Sequence, residues 1–473
     1  MKKTYITTTL PYVNDNPHVG HALEFVQADT YARSRRLQGD EVFFNTGTDE
    51  HGQKIFTKAK EEGKEVQAYV DFYAKRFESL KEKLNLSFDA FVRTTNPHHI
   101  SAAQELWRRC EVGGDIYKKN FEGLYCVGCE RYLNDRDLVD GRCPLHPNLV
   151  PERVSEENYF FRFSKYTDAL REYLTKNSIV PAVRRIEAER LIGEGLEDFS
   201  ISRRKERMSW GVPVPGDDEH VMYVWFDALT NYISTLGWPE DSDGTFQKFW
   251  IDGTTVQMAG KDQVRFQSLM WQAMLMSAHI KPTDLVVYHG FITSGGQKIS
   301  KSLGNVIDPI AFVDEFGTDA VRYFFLRHIH PFEDSDFTRE RFVESYNAGL
   351  SNGLGNLVSR VMKMAEEYLD APVQVPEWED FSAYFELLDT YRFNDACDMV
   401  WAEITECDVS IQETQPFKII KTDPEKGRAL IAELAVRVYR IGRMLNPLMP
   451  TTSNLIKEAV RANKKPENLF VRK

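Results

Sequence analysis

Tyr5-Ile6-Thr7-Thr8-Thr9-Leu10-Pro11-Tyr12-Val13-Asn14-Asp15-Asn16-Pro17-His18-Val19-Gly20-His21 holds the clue to the fold. Its first five residues are β-branched or aromatic, the composition of a strand. Leu10-Pro11 ends that run, and Asn14-Asp15-Asn16-Pro17 are turn formers. After His18, apolar residues at Val19, Ala22, Leu23, Val26 and Ala28 keep helical spacing. Val42-Phe43-Phe44-Asn45-Thr46-Gly47 then reads as a second strand, ending in the polar Thr48-Asp49-Glu50-His51-Gly52. Strand, helix, strand opens a doubly wound parallel α/β sheet, whose ligands sit outside the carboxyl ends of its strands. The loops after both strands should therefore meet at one crevice.

His18 and His21 lie on the first helical turn, where two imidazoles and free backbone N–H groups suit a phosphate. Gly20 between them leaves room for a nucleotide base against the backbone. Lys298-Ile299-Ser300-Lys301-Ser302, after Gly295 and Gly296, is a cationic loop whose Lys298 and Lys301 supply point charges for β- and γ-phosphates. A histidine pair alone is more simply a helix start. With the lysine loop 280 positions later, the two sets have the parts to grip a triphosphate and move a nucleotidyl group.

Composition bounds the class. A chain of 473 residues exceeds one ordinary core, so about three domains are expected. Hydrophobic content of 42% and charged content of 27% are those of a globular protein. No apolar run is long enough for a membrane span, and the N-terminus passes straight into a strand pattern, so a cytoplasmic protein with no membrane partner is expected. A net charge of −12 excludes indiscriminate coating of nucleic acid but not a specific RNA enzyme. Arg203-Arg204-Lys205 with Arg207, and Arg33, Arg35 and Arg36, are the candidate basic patches.

From about Asp115 to Gly216 the strand–helix alternation lapses, which suggests an insertion. Val221-Met222-Tyr223-Val224-Trp225, Thr255 to Ala259 and Leu285 to Tyr288 resume the strand pattern. After about Asp336 the pattern is helical, a bundle. The expected organisation is a first catalytic half over 1–115, an insertion over 116–216, a second catalytic half with the lysine loop over 217–336, and an all-α domain over 337–473.

Cys126-Val127-Gly128-Cys129, thirteen residues, then Cys143-Pro144-Leu145-His146 has the paired spacing of a zinc site. Three thiolates and an imidazole close a tetrahedron, leaving no open position, so a structural ion is expected. Cys110, Cys397 and Cys407 are scattered and read as buried small hydrophobes.

With the histidine pair, lysine loop and cysteine knuckle in this order, the chain resembles the methionyl branch of the class I aminoacyl-tRNA synthetases from about Lys3 to the mid-450s. The resemblance implies a Rossmann-type catalytic domain with a zinc-knuckle insertion and a helical anticodon-binding domain. It implies activation of L-methionine by ATP and Mg²⁺, then transfer to methionine-specific tRNA, initiator and elongator. It places Leu10, Tyr12, Asp49, Trp225, Ala228, Leu229, Tyr232 and His289 at methionine. Gly260 and Asp262, with His18, Gly20, His21, Lys298 and Lys301, belong to ATP. It places Asn356, Arg360 and Phe417 at the anticodon. Aromatic faces and polarizable sulfur attract each other, which suits an uncharged thioether pocket. Asn356 and Arg360, four apart, share a helical face. The chain departs from the family at Ile299, Leu229, Gln263 and Phe417, where methionine, proline, an apolar residue and tryptophan are usual.

Two rivals remain. Synthetases for valine, isoleucine or leucine carry a much larger editing insertion, and the cysteine enzyme places zinc at its substrate thiol. A catalytically silent RNA-binding homologue is disfavoured by the intact histidine and lysine sets. The chain ends at Lys473, soon after the bundle, and a monomer is expected.

Overall fold

The computed structural model describes residues 1–127, 131–133, 138–144, 147–299, 306–377 and 379–473, with backbone alone at Phe121, Arg131, Tyr132 and Lys298. The chain forms two compact units. One holds Met1–Pro17, Asp40–Ser79 and Phe88–His289; the other holds His18–Gly39, Leu80–Ser87 and Gly290–Lys473.

The first unit is built on a six-stranded sheet in the order Ala90–Arg93, Glu41–Thr48, Lys3–Thr8, Thr254–Gly260, Leu285–His289, Ile179–Val180. All five ladders are parallel. The chain starts in the middle, works outward to one side, then returns to fill the other. The order reverses between Lys3–Thr8 and Thr254–Gly260, so their carboxyl ends splay and leave a crevice. Lys3–Thr8 is buried at every residue but its first, as expected when both faces of a sheet are covered. Around Tyr5 the core gathers Trp107, Phe226, Trp250, Trp271 and Tyr288. Helix Pro97–Val112 joins that core through Ala102, Ala103, Leu106, Trp107 and Cys110. Its start is set by the Asn96 side chain accepting from His98 N–H and by proline at the first helical position.

Residues in the expected insertion form an antiparallel sheet ordered Arg131–Leu133, Ile116–Cys126, Glu152–Phe161, Phe199–Ser200. A second antiparallel sheet contains Pro213–Val214, Asp217–Met222 and Ser202–Arg204. Two sequence expectations change here. Ile179–Val180, from within this stretch, returns to the parallel sheet beside Val286 and Val287. The strand expected over Val221–Trp225 ends at Met222, and Val224–Leu229 is a helix. A short apolar run buried on all sides carries no period that separates strand from helix.

The expected basic patches are engaged internally. Arg203 is buried, donates to Ser200 Oγ and Ser202 O, and lies over the Tyr223 ring. Arg204 pairs with Glu219 and Arg207 with Glu152. Arg33 pairs with Asp29 and Arg35 with Asp389, while Arg36 donates to Ser87.

The second unit is largely helical. Its last strand among the described residues is Ser335–Asp336; from Arg339 onward the regular elements are helices, as the sequence pattern indicated. Helix Pro424–Met444 packs against Asn356–Tyr368, Phe393–Thr414 and Pro450–Ala462. Gly442 permits the last of these: a Cβ there would stand 2.9 Å from Ile456 Cγ2. Arg322 ties the unit together from full burial, with its guanidinium 2.8 Å from Asp29 and donating to the carbonyls of Leu84, Pro447 and Leu448. Among the described residues, no helix is long and apolar enough to cross a membrane.

Candidate active site

In the first unit, the carboxyl ends of the central strands collect most of the residues predicted for an amino acid. The chain leaves strand Lys3–Thr8 through Leu10-Pro11-Tyr12, and strand Glu41–Thr48 through Asp49-Glu50-His51. These exits are stitched together: Asp49 N–H donates to Pro11 O at 3.0 Å, and Val13 N–H to Asp49 O at 3.2 Å. Tyr12 thus lies bridged directly beside Asp49. Asp49 is buried, and its carboxylate accepts from His51 N–H at 3.4 Å.

Trp225, on helix Val224–Leu229, turns its edge to Tyr12 at 6.2 Å and stacks on Phe266 at 4.0 Å. Ala228, Leu229 and Tyr232 are buried on the same segment. Gly260 and His289 end adjacent parallel strands, in register with each other. A Cβ on Gly260 would stand 2.9 Å from Asp262 Oδ1, so glycine is what lets that side chain fold back. The exposed Asp262 also accepts from Gln263 Nε2 at 3.1 Å.

Three supporting groups carried no sequence signal. Asp227, fully buried, accepts from His51 Nδ1 at 2.6 Å with one oxygen and from His99 Nε2 at 2.8 Å with the other. Burial alone would raise its pKa, but the His51 and His99 interactions outweigh burial and hold it at about 2. Glu50, also buried, is gripped by Arg93 through both oxygens at 2.6 and 2.9 Å. Gln267 donates to the Tyr232 hydroxyl at 2.7 Å. Its Oε1 and the Trp225 Nε1 are buried and have no hydrogen-bond partner among the described residues. Such orphaned polar atoms are rare in a folded interior and cluster where a ligand or water completes them. Asp227 and Gln267 lie far in sequence from their partners, so spacing could not reveal them.

In the second unit, helix Val19–Leu37 begins with a reciprocal cap made by the predicted histidines. His18 Nδ1 accepts from Gly20 N–H at 3.1 Å, and His21 Nδ1 accepts from His18 N–H at 3.3 Å. Their rings stack at 3.7 Å. A Cβ at Gly20 would stand 2.9 Å from His18 Cε1, so the space glycine leaves is taken first by this ring. Burial lowers the His18 pKa to about 4, and the imidazole is neutral at physiological pH.

The lysine segment starts as a two-residue hairpin. Ile292–Ser294 pairs with Gln297–Lys298 across Gly295 and Gly296, both at positive φ, as a tight primed turn requires. Lys301 lies outside the described residues. Further along, Ile307 O accepts from Val19 N–H at 3.1 Å. The exit of the lysine segment is therefore hydrogen-bonded to the histidine motif itself.

Of the expected zinc ligands, Cys126 and Cys143 are buried in one small cluster with Leu133, beside Leu124 and Leu138. Cys129 and His146 lie outside the described residues, and among those described no group of three or more candidate ligands is gathered. Asn356 opens helix Asn356–Tyr368 and is exposed; Arg360, one turn on, donates to Asp408 at 3.1 Å. Phe417 is 42% exposed near the start of helix Pro416–Thr422.

The family model described as "tRNA synthetases class I (M)" matches residues 4–149 and 146–362, which places the chain in that class. The methionine–tRNA ligase of Thermotoga maritima is 39% identical over 98% of this chain and 76% of its own length. That of Synechocystis is 39% identical over 95% of this chain and 88% of its own. The solved Mycobacterium tuberculosis methionyl-tRNA synthetase in complex with methionyl-adenylate superposes with a TM-score of 0.90 at 36% identity, covering 96% of this chain and 93% of that one. The chain belongs to the methionine–tRNA ligase family, and is an aminoacyl-tRNA ligase.

Proposed function

We propose that the protein activates L-methionine with ATP and charges methionine-specific tRNA, initiator and elongator. The methionine carboxylate attacks the α-phosphorus, forming methionyl-adenylate and expelling pyrophosphate. The terminal adenosine hydroxyl of tRNA then attacks the acyl carbon and AMP departs. No protein nucleophile is needed, so the residues act by positioning and by stabilising developing charge.

The observation that carries this reading is the Tyr12–Asp49 bridge facing Trp225 at the sheet's switch point. It sets a buried carboxylate for the substrate ammonium beside aromatic faces for a thioether. In this reading Leu10, Tyr12, Asp49, Trp225, Ala228, Leu229, Tyr232 and His289 hold methionine. Gly260 and Asp262 serve the nucleotide. His18, Gly20, His21, Lys298 and Lys301 form the phosphate set, with Mg²⁺ entering on ATP. Neutral His18 donates a hydrogen bond to phosphate rather than a charge, which leaves charge compensation to the lysines. Asn356, Arg360 and Phe417 are the anticodon candidates, and Arg360 must exchange Asp408 for a base edge.

Cys126, Cys129, Cys143 and His146 would hold one Zn²⁺. The shared burial of Cys126 and Cys143 supports it, and such an ion supplies a cross-link to the insertion. The reading keeps the domain division at 115, 216 and 336, and makes the protein a cytoplasmic monomer.

ATP–pyrophosphate exchange across a panel of amino acids tests the activity. Methionine should drive exchange; faster exchange with cysteine or valine, or none with methionine, would overturn it. For zinc, chelation should loosen residues 116–216 and lower activity indirectly; full activity after verified metal loss would rule out the structural ion.

A further inference from the structure

The helical unit contains a cavity of about 430 Å³ that none of the roles above uses. It lies where the carboxyl end of helix Pro424–Met444 meets helix Pro450–Ala462. Its lining combines the cations Arg443, Lys457 and the exposed Arg461 with the apolar Leu37, Val375 and Pro376. The cations are unevenly compensated. Arg443 pairs with Glu379 at 3.2 Å. Arg461 donates to the Tyr439 hydroxyl at 2.6 Å, a neutral partner. Among the described residues no carboxylate comes within 4.0 Å of Lys457 or Arg461. Glu377, on the rim, is the exposed carboxylate of the lining. Burial, then its helix neighbour Arg461 and Arg443, push the Lys457 ammonium below its ordinary pKa, against the opposing pull of Glu458.

We propose that this cavity binds a small phosphorylated organic molecule, with its phosphate on Lys457 and Arg461 and its organic body against Leu37, Val375 and Pro376. Charge selects phosphate. A phosphate monoester carries about −1.5 to −2 at neutral pH, enough to offset both uncompensated cations, whereas one carboxylate offsets only one. Size and wall chemistry select an organic phosphate over a bare ion. The volume is that of a small-molecule site, and a simple anion would leave the apolar residues in contact with water. Asn446, also in the lining, offers a donor and an acceptor to sugar or base hydroxyl and amide groups.

Calorimetric titration of the full chain with ribose 5-phosphate and with AMP tests this, with neutral ribose as control. At least one phosphate should bind saturably and ribose should not. Lys457→Gln with Arg461→Gln should weaken that site about tenfold or more, while Lys457→Arg retains it. His21→Ala, which disables the proposed phosphate set, should leave the site intact and so separates it from AMP held there. Methionine-dependent exchange should be unchanged in the double variant. No saturable binding of either phosphate, binding equal in wild type and double variant, or binding lost in His21→Ala would overturn the proposal. So would a double variant that keeps the sugar phosphate but loses tRNA affinity, since the wall would then be an RNA surface.

Discussion

Asp227→Asn is the sharpest test of how the amino-acid site is held. Asp227 joins three elements: its own helix carrying Trp225, the loop after Glu41–Thr48 through His51, and helix Pro97–Val112 through His99. Each bond to the carboxylate is charge-assisted, worth about 1.5–3 kcal/mol against about 0.5–1.5 for a neutral one. Asparagine keeps the shape but has one acceptor oxygen, so one bond becomes neutral and the other histidine meets an Nδ2 donor, a loss of at least about 2–3 kcal/mol in total. The titration agrees. A carboxyl held at about 2 instead of its ordinary 3.8 stabilises the folded state, when ionised, by about 2–3 kcal/mol. The sign follows from the lowered pKa: the contribution is complete above about pH 4 and is lost as pH falls toward about 2. Urea unfolding should therefore show a gap between wild type and variant that is constant at neutral pH and closes in acid. In the exchange assay the methionine KM should rise several-fold with the ATP KM little changed, because the Asp49 loop and the Trp225 helix lose their common anchor. A variant as stable as wild type at pH 7, or a gap as large near pH 2 as at pH 7, would refute the reasoning.

Arg322→Met should cost about 3–5 kcal/mol in unfolding of the helical unit, because it strands the buried Asp29 carboxylate and three carbonyls; a smaller loss in guanidinium titration would show that Arg33 and Ser87 satisfy Asp29 without it. Trp225→Ala removes the ring stacked on Phe266 and facing Tyr12, and should raise the methionine KM by about tenfold or more with a smaller change in kcat; an unchanged KM would place methionine elsewhere. Phe417→Ala should lower tRNA charging while sparing exchange, at a cost near the about 1–3 kcal/mol of one base stacked on an aromatic side chain. Equal damage to both reactions would argue against an anticodon role.

The doubly wound sheet was legible because it depends on local pattern: β-branched runs, a proline stop, and helical spacing after His18. The helix start at His18 was legible for the same reason, being set by residues a few positions apart, whereas the segment read as a lysine loop opens as a hairpin of Ile292–Ser294 with Gln297–Lys298. Trp225 was misplaced onto a strand because a run buried on every side has no period to read. A side chain at Gly20 would meet the His18 ring, a crowding that sequence does not reveal. The basic clusters at Arg33 and Arg203 looked like surface charge because their partners, Asp29, Asp389, Ser87 and Ser200, cannot be paired with them from sequence alone.

Sequence by itself determined the strand–helix order and which residue types could meet a triphosphate, since side-chain chemistry and short-range periodicity are properties of the local chain. Tertiary structure alone decided that Asp227 anchors two histidines, that Gln267 backs Tyr232, that Ile307 closes onto Val19, and that Lys457 and Arg461 line one cavity with, among the described residues, no carboxylate within 4.0 Å of either. Each of those depends on which distant segments share a buried space, and burial is what turns an ordinary acid, amide or ammonium into a group with a strong preference for one partner.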